Sequence, residues 1–155
     1  MEKLTFKNKI GYASAAFGDS ASYAFINTFL LFFLTTVAGI EPAAAGTITI
    51  VGAVWNTLIN PIIGYLSDNS ATKWGRRRPF MLLMSLPLAA SAYLLFTAVD
   101  LLPQVKAFYY GAVLIIFWSA YTGFFVPYLA LGAEYTQDYD ERTELRSYAS
   151  LFNMF

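Results

Sequence analysis

Apolar residues in this chain gather into four long runs separated by short polar stretches, at about residues 10–38, 43–66, 80–99 and 107–131. Each run reaches or exceeds the roughly 20 residues a helix needs to cross the hydrocarbon layer. Strand-like alternation is missing from all four. Lipid cannot satisfy open backbone groups, so runs of this kind predict transmembrane helices. Gly39–Pro42 and Asp100–Pro103 are the turns at one face, and Pro42 is suited to opening a helix. Pro61, Pro87 and Pro127 fall inside the runs, where neighbouring helices can absorb the freed carbonyls. The first run is too long for the apolar core of a signal peptide, which extends to about 15 residues. A fifth apolar helix starts near residue 144, but only about 12 residues follow, too few to span. The fold class expected is therefore all-α transmembrane. Residues 1–155 read as a partial N-terminal transmembrane domain of four spans plus a truncated helix at 144–155, its C-terminal remainder missing.

Charge orients these spans. Nine of the ten Lys and Arg residues fall on one side: Lys3, Lys7 and Lys9; Lys73, Arg76, Arg77 and Arg78; Arg142 and Arg146. The opposite side holds Lys106 alone. Cytoplasmic loops collect basic residues, so the chain is expected in the cell membrane as a multi-pass protein with its N-terminus inside. Composition agrees, with 57% apolar and 13% charged residues, against roughly 25% charged in a soluble domain. A net charge of zero argues against a nucleic-acid partner. With no Cys and no His, thiol nucleophiles, imidazole bases and the usual zinc ligands are excluded. The acidic loop Glu134–Glu144 matches no metal-ligand spacing and reads as solvated. No catalytic residue, metal or cofactor is expected.

The most specific local signal is GYLSDNSATKWGRRRPF, from Gly64 to Phe80. Asp68 lies at the end of the second helix, where a carboxylate opposes the macrodipole and calls for a cation. Gly75, Arg76, Arg77 and Arg78 supply three, with bidentate geometry available. Gly64, Asp68, Gly75 and the arginines thus form a candidate conformational latch, although three arginines also enforce topology by themselves.

This segment resembles the loop between helices two and three of the major facilitator superfamily. With FGDSASYAFINTFLLFFLTTVAGI, WNTLINPIIGYLSD and VPYLALGAEYTQDYDERTELRSY, it is similar to the glycoside–pentoside–hexuronide:cation symporters, which include melibiose permease. The GRRRPF form is most like the related sucrose transporters. Members have about twelve helices in two six-helix halves, so the resemblance implies an incomplete N-terminal half. It also implies a sugar or glycoside symporter working by alternating access, with the lipid bilayer and a small-molecule sugar as partners. A membrane-embedded enzyme and a short non-transporting scaffold are the alternatives carried beside it.

Asp19 is the only charged residue inside the four runs. A carboxylate at such a depth costs roughly 2.5–3.5 kcal/mol on insertion scales and usually faces a partner or an aqueous path. Helical spacing sets Asp19, Tyr23 and Asn27 on one stripe. Thr49, Asn56 and Asn60 share a face with Gly52 and Gly64, and Trp118, Tyr121 and Phe125 form an aromatic stripe. The candidate substrate or coupling-ion set is therefore Asp19, Tyr23, Asn27, Asn56, Asn60, Trp118 and Tyr121; helix–helix packing explains the amides and aromatics equally well. The resemblance places a sugar-contacting acid within one position of Asp19. It also aligns the family's cation-binding carboxylates with Asn56 and Asn60, its helix-four acid with Phe125 and its helix-five arginine near Ser150. Amides keep ligand oxygens but not the charge a sodium ion needs. A proton is thus the coupling cation expected, carried by Asp19, whose protonation removes the cost of burying its charge.

Overall fold

The computed structural model describes residues 6–69 and 78–134. Four helices follow in order: α1 Phe6–Phe32, α2 Pro42–Asn69, α3 Arg78–Leu95 and α4 Pro103–Glu134, with no strand among the described residues. The expected fifth helix at 144–155 lies outside them, as do Gly75, Arg76 and Arg77. The chain divides into two compact units, Asn27–Pro127 and Met1–Ile26 with Tyr128–Phe155.

α1 does not end as a plain α-helix. Residues Phe33–Val37 form a π turn. Ala38 N–H donates to the Phe33 carbonyl at 2.9 Å, and Ile40 N–H reaches back to Leu34 at 2.9 Å. That second bond spans one residue more than the 6→1 bond of a Schellman stop. Gly39 closes the turn with φ +68, a left-handed conformation that favours glycine. α2 then opens on Pro42, whose missing N–H is harmless in the first turn.

Three stretches are long and apolar enough to cross a membrane: Ser20–Val37, Pro42–Asn69 and Pro103–Ala130. α3 differs from expectation. Its apolar part, Met81–Leu95, is about 22 Å long at 1.5 Å per residue, against about 30 Å of hydrocarbon. The helix stops four residues before Val99, and α4 reaches the carbonyls at and just beyond its end. Tyr110 Oη donates to the Thr97 carbonyl at 2.9 Å and Tyr109 Oη to that of Leu94 at 3.3 Å. α4 in turn begins at Pro103 rather than Ala107, with Lys106 N–H bonded to the Leu102 carbonyl at 2.9 Å.

Within the unit Asn27–Pro127 the core is aliphatic and aromatic. Leu34, Ala45, Leu95 and Tyr110 are fully buried, with Leu114 and Phe117 close behind. The Phe33 ring meets Phe96 and Tyr110 edge-on, at centroid distances of 5.2 and 6.1 Å. These rings join the π turn to the end of α3 and the start of α4. Among the described residues of this unit, Ser67, Ser91 and Thr122 are the buried polar ones. Each bonds within reach: Ser67 to the Gly64 carbonyl, Ser91 to that of Pro87, and Thr122 to Asn56.

Candidate functional site on the face between α2 and α4

The polar face of α2 lies against α4. At Gly52 the helices approach closely: a Cβ there would sit 2.6 Å from Leu114 Cδ2 and 3.1 Å from Trp118 Nε1, so any side chain would force Leu114 to shift. One turn on, Trp55 Nε1 donates to Ser119 Oγ at 2.9 Å. Ser119 passes its own proton to the Ile115 carbonyl at 2.8 Å. Thr122 Oγ1 then donates to Asn56 Oδ1 at 2.9 Å. Two interhelical hydrogen bonds thus follow the glycine contact, the kind of polar glue membrane helices use.

The register of these contacts carries direction. Along α2 they climb from Gly52 through Asn56 to Gly64; along α4 they climb from Leu114 through Thr122 to Val126, which a Cβ at Gly64 would meet at 3.9 Å. α2 and α4 therefore run the same way. Parallel neighbours require the chain to cross back between them, and α3 is the element that does so despite its length.

Each sequence-predicted residue can now be placed. Asn60 Nδ2 donates to the Asn56 carbonyl at 2.6 Å, so the two amides form one half-buried pair. Within that pair the Nδ2 group of Asn56 and the Oδ1 atom of Asn60 bond to nothing among the described residues. Thr49 bonds its own helix, at the Ala45 carbonyl. Trp118 and Tyr121 are buried and meet edge-on at 5.4 Å. Phe117, Tyr121 and Phe125 stack along α4 at 6.1 and 5.7 Å. Trp118 adjoins the α2 face at Gly52 and Tyr121 packs against Trp118, so Asn56 and Trp118 are the predicted positions that these contacts set between α2 and α4.

Asp19, Tyr23 and Asn27 all lie in α1, with Tyr23 and Asn27 exposed. Asp19 and Tyr23 belong to the unit Met1–Ile26 with Tyr128–Phe155, and the other five site residues to Asn27–Pro127. Of the latch, Gly64 and Asp68 sit in the last turns of α2, and Arg78 is the first residue of α3.

Sequence reasoning passed over four residues that the structure brings forward. Trp55, Ser119 and Thr122 complete the interhelical bonds. Lys106 Nζ donates to the Ala38 carbonyl at 3.1 Å, at the C-terminal end of the π turn. A cation at a helix C-terminus is favourable, which accounts for the one lysine on a side that holds no other basic residue. Its isolation in the charge pattern was the available signal.

A multi-pass helical membrane protein with polar groups between its spans is the class these features define. The chain belongs to the family described as MFS/sugar transport protein, whose model matches residues 11–155. It is 39% identical to an uncharacterized symporter of Synechocystis sp. across 99% of this chain and 29% of that protein. It is 31% identical to the inner membrane symporter YicJ of Escherichia coli, across 95% and 32%. It is 26% identical to the isoprimeverose transporter of Lactiplantibacillus pentosus, across 92% and 30%. The chain thus spans about a third of the length of these relatives. The expected superfamily and helical class hold.

Proposed function

We propose that this chain forms the first part of a proton-coupled sugar or glycoside symporter that works by alternating access. The observation that carries the reading is the half-buried Asn56–Asn60 pair. Among the described residues it leaves one donor, Asn56 Nδ2, and one acceptor, Asn60 Oδ1, unbonded, and buried Trp118 and Tyr121 lie on α4, the helix that Asn56 meets. Sugar hydroxyls both donate and accept, and aromatic faces suit the C–H surface of a sugar ring. The family's description and the name of the isoprimeverose transporter support a sugar substrate. Neither amide carries charge, so the negative group for a coupling cation falls to Asp19, the one acid inside the apolar runs. A proton needs a single titratable carboxylate; a sodium ion would need several charged or carbonyl oxygens.

The test is Asp19→Asn in the complete transporter, assayed by sugar accumulation into vesicles under an imposed proton gradient. Uphill accumulation should be lost while downhill exchange persists. A variant that still concentrates sugar against its gradient refutes proton coupling through Asp19.

The proposed topology sets the N-terminus and the Lys73–Arg78 loop in the cytoplasm, where Asp68 and Arg76–Arg78 act as a latch between conformations rather than as substrate ligands. Residues 1–155 hold no cysteine, so Asn69→Cys gives a single reporter once any cysteine elsewhere in the complete transporter is replaced. An impermeant thiol reagent should leave it unlabelled in intact cells and label it after permeabilisation. Labelling from outside would overturn both the orientation and the latch.

A further inference from the structure

Thr122 uses its hydroxyl differently from its neighbours. Thr47, Thr49 and Thr57 in α2 each donate to the carbonyl four residues back in their own helix. Ser119 in α4 does the same. Thr122 makes no such bond: its one proton crosses to α2, to Asn56 Oδ1 at 2.9 Å. Because Thr122 is 1% exposed, water is not at hand to take that proton instead. This settles which way round the Asn56 amide sits. Turned over, Nδ2 would donate to Oγ1, and the hydroxyl proton would have no acceptor among the described residues, a costly state for a buried group. Asn60 is fixed by its own bond. Its Nδ2 donates to the Asn56 carbonyl at 2.6 Å; turned over, two oxygens would face each other at that distance. Both amides are half-buried and lie one helical turn apart on the same face.

We infer that Thr122 is a positioning residue: it holds Asn56 as a donor one turn from Asn60 as an acceptor, so that the pair selects solutes bearing hydroxyl groups. This role rests on the sugar reading above and names the residue that gives the pair its polarity. A side-chain amide that is free to turn over can offer either its oxygen or its nitrogen. These two cannot turn. A hydroxyl both donates and accepts, so one hydroxyl, or two on neighbouring carbons, answers the Asn56 N–H and the Asn60 carbonyl together. A group that only accepts, such as an ether oxygen or a carboxylate, answers Asn56 and leaves Asn60 unmet. A group that only donates, such as an ammonium, does the reverse. Leaving a polar group of the site unpaired is what lets hydrogen-bonding sites reject the wrong solute. Thr122 does not have to touch the solute, because its proton is already given to Asn56 Oδ1; it acts through that amide.

The test uses the complete transporter in nanodiscs and equilibrium binding of tritiated p-nitrophenyl glycosides: the β-glucoside, β-xyloside, α-galactoside and β-glucuronide. For the probe that the parent binds most tightly, Thr122→Val should weaken affinity about two- to tenfold, because a released amide presents Nδ2 only part of the time. Thr122→Ser, which keeps the hydroxyl, should stay within about twofold of the parent. In an Asn56→Leu background Thr122→Val should cause no further loss, since a residue that acts through Asn56 then has nothing to act on. Parent-like affinity in Thr122→Val would overturn the inference and leave the sugar reading standing, as would an equal further loss in the Asn56→Leu background or a Ser variant as weak as the Val one. A parent that binds none of the four probes would count against the sugar reading and the ligand class together. The positioning is then decided by the side-chain carbonyl resonance of Asn56 in protein labelled with [13C]asparagine, identified by its loss in Asn56→Leu. That resonance should move in Thr122→Val and return in Thr122→Ser; a resonance that stays put overturns the role of Thr122.

Discussion

Gly52→Ala adds one methyl group where α2 and α4 have no room for it. The new Cβ would lie 2.6 Å from Leu114 Cδ2, 3.0 Å from Leu114 Cγ and 3.1 Å from Trp118 Nε1. Carbon pairs prefer about 3.5–4.0 Å, so Leu114 would have to retreat by roughly 1 Å. It cannot do so freely, because Leu114 is 1% and Trp118 6% exposed. Overpacking of this kind costs about 1–3 kcal/mol. Backing α4 away also stretches the Trp55–Ser119 bond, adding about 0.6 kcal/mol if it is lost. Against this, alanine gains up to about 1 kcal/mol of helix propensity over glycine. Overpacking wins, for a net destabilisation of about 1–2 kcal/mol. Reversible unfolding in mixed detergent–lipid micelles, followed by circular dichroism, measures it. Leu114→Ala alone should cost about 2–5 kcal/mol, but about 1 kcal/mol less in the Gly52→Ala background, since the clash is then relieved. A Gly52→Ala protein as stable as the parent, or strictly additive costs in the cycle, would refute the close approach.

Thr122→Val keeps the β-branched shape while deleting the donor to Asn56, and should lose about 0.6 kcal/mol, at most about 1.7; unchanged stability in the same unfolding assay would mean the bond contributes nothing. Lys106→Met keeps the apolar stem and removes the cation from the Ala38 carbonyl. It should cost about 0.3–1 kcal/mol and hasten amide exchange at Ala38 and Ile40, with Lys106→Arg close to the parent; equal exchange in all three proteins would count against the cap.

The spans were legible in the sequence, their ends and neighbours less so. Uninterrupted apolar runs predict helices because lipid leaves the backbone no other choice. The end of α3 was overrun because Phe96–Val99 is uncharged and largely apolar, like the helix before it, and carries no mark of the stop. The start of α4 was set late because Lys106 reads as a boundary charge, whereas it bonds a carbonyl 68 residues away. For the site, periodicity grouped Gly52, Asn56 and Asn60 on one face, and they do share one. It could not say which helix that face meets. Ser119 and Thr122 look like any hydroxyl residues that bond their own helix, and only the three-dimensional pairing sets them apart.

The parallel pairing of α2 and α4 also dictates an order of assembly. Trp55 waits for a residue 64 positions later and Asn56 for one 66 positions later. At about 5–20 residues per second, several seconds of synthesis separate the two helices. During that interval the indole and the amide have left the ribosome while their hydroxyl partners are still being made. Until α3 has turned the chain round and α4 has been made, α2 must therefore hold its polar face without the partners that the folded unit gives it.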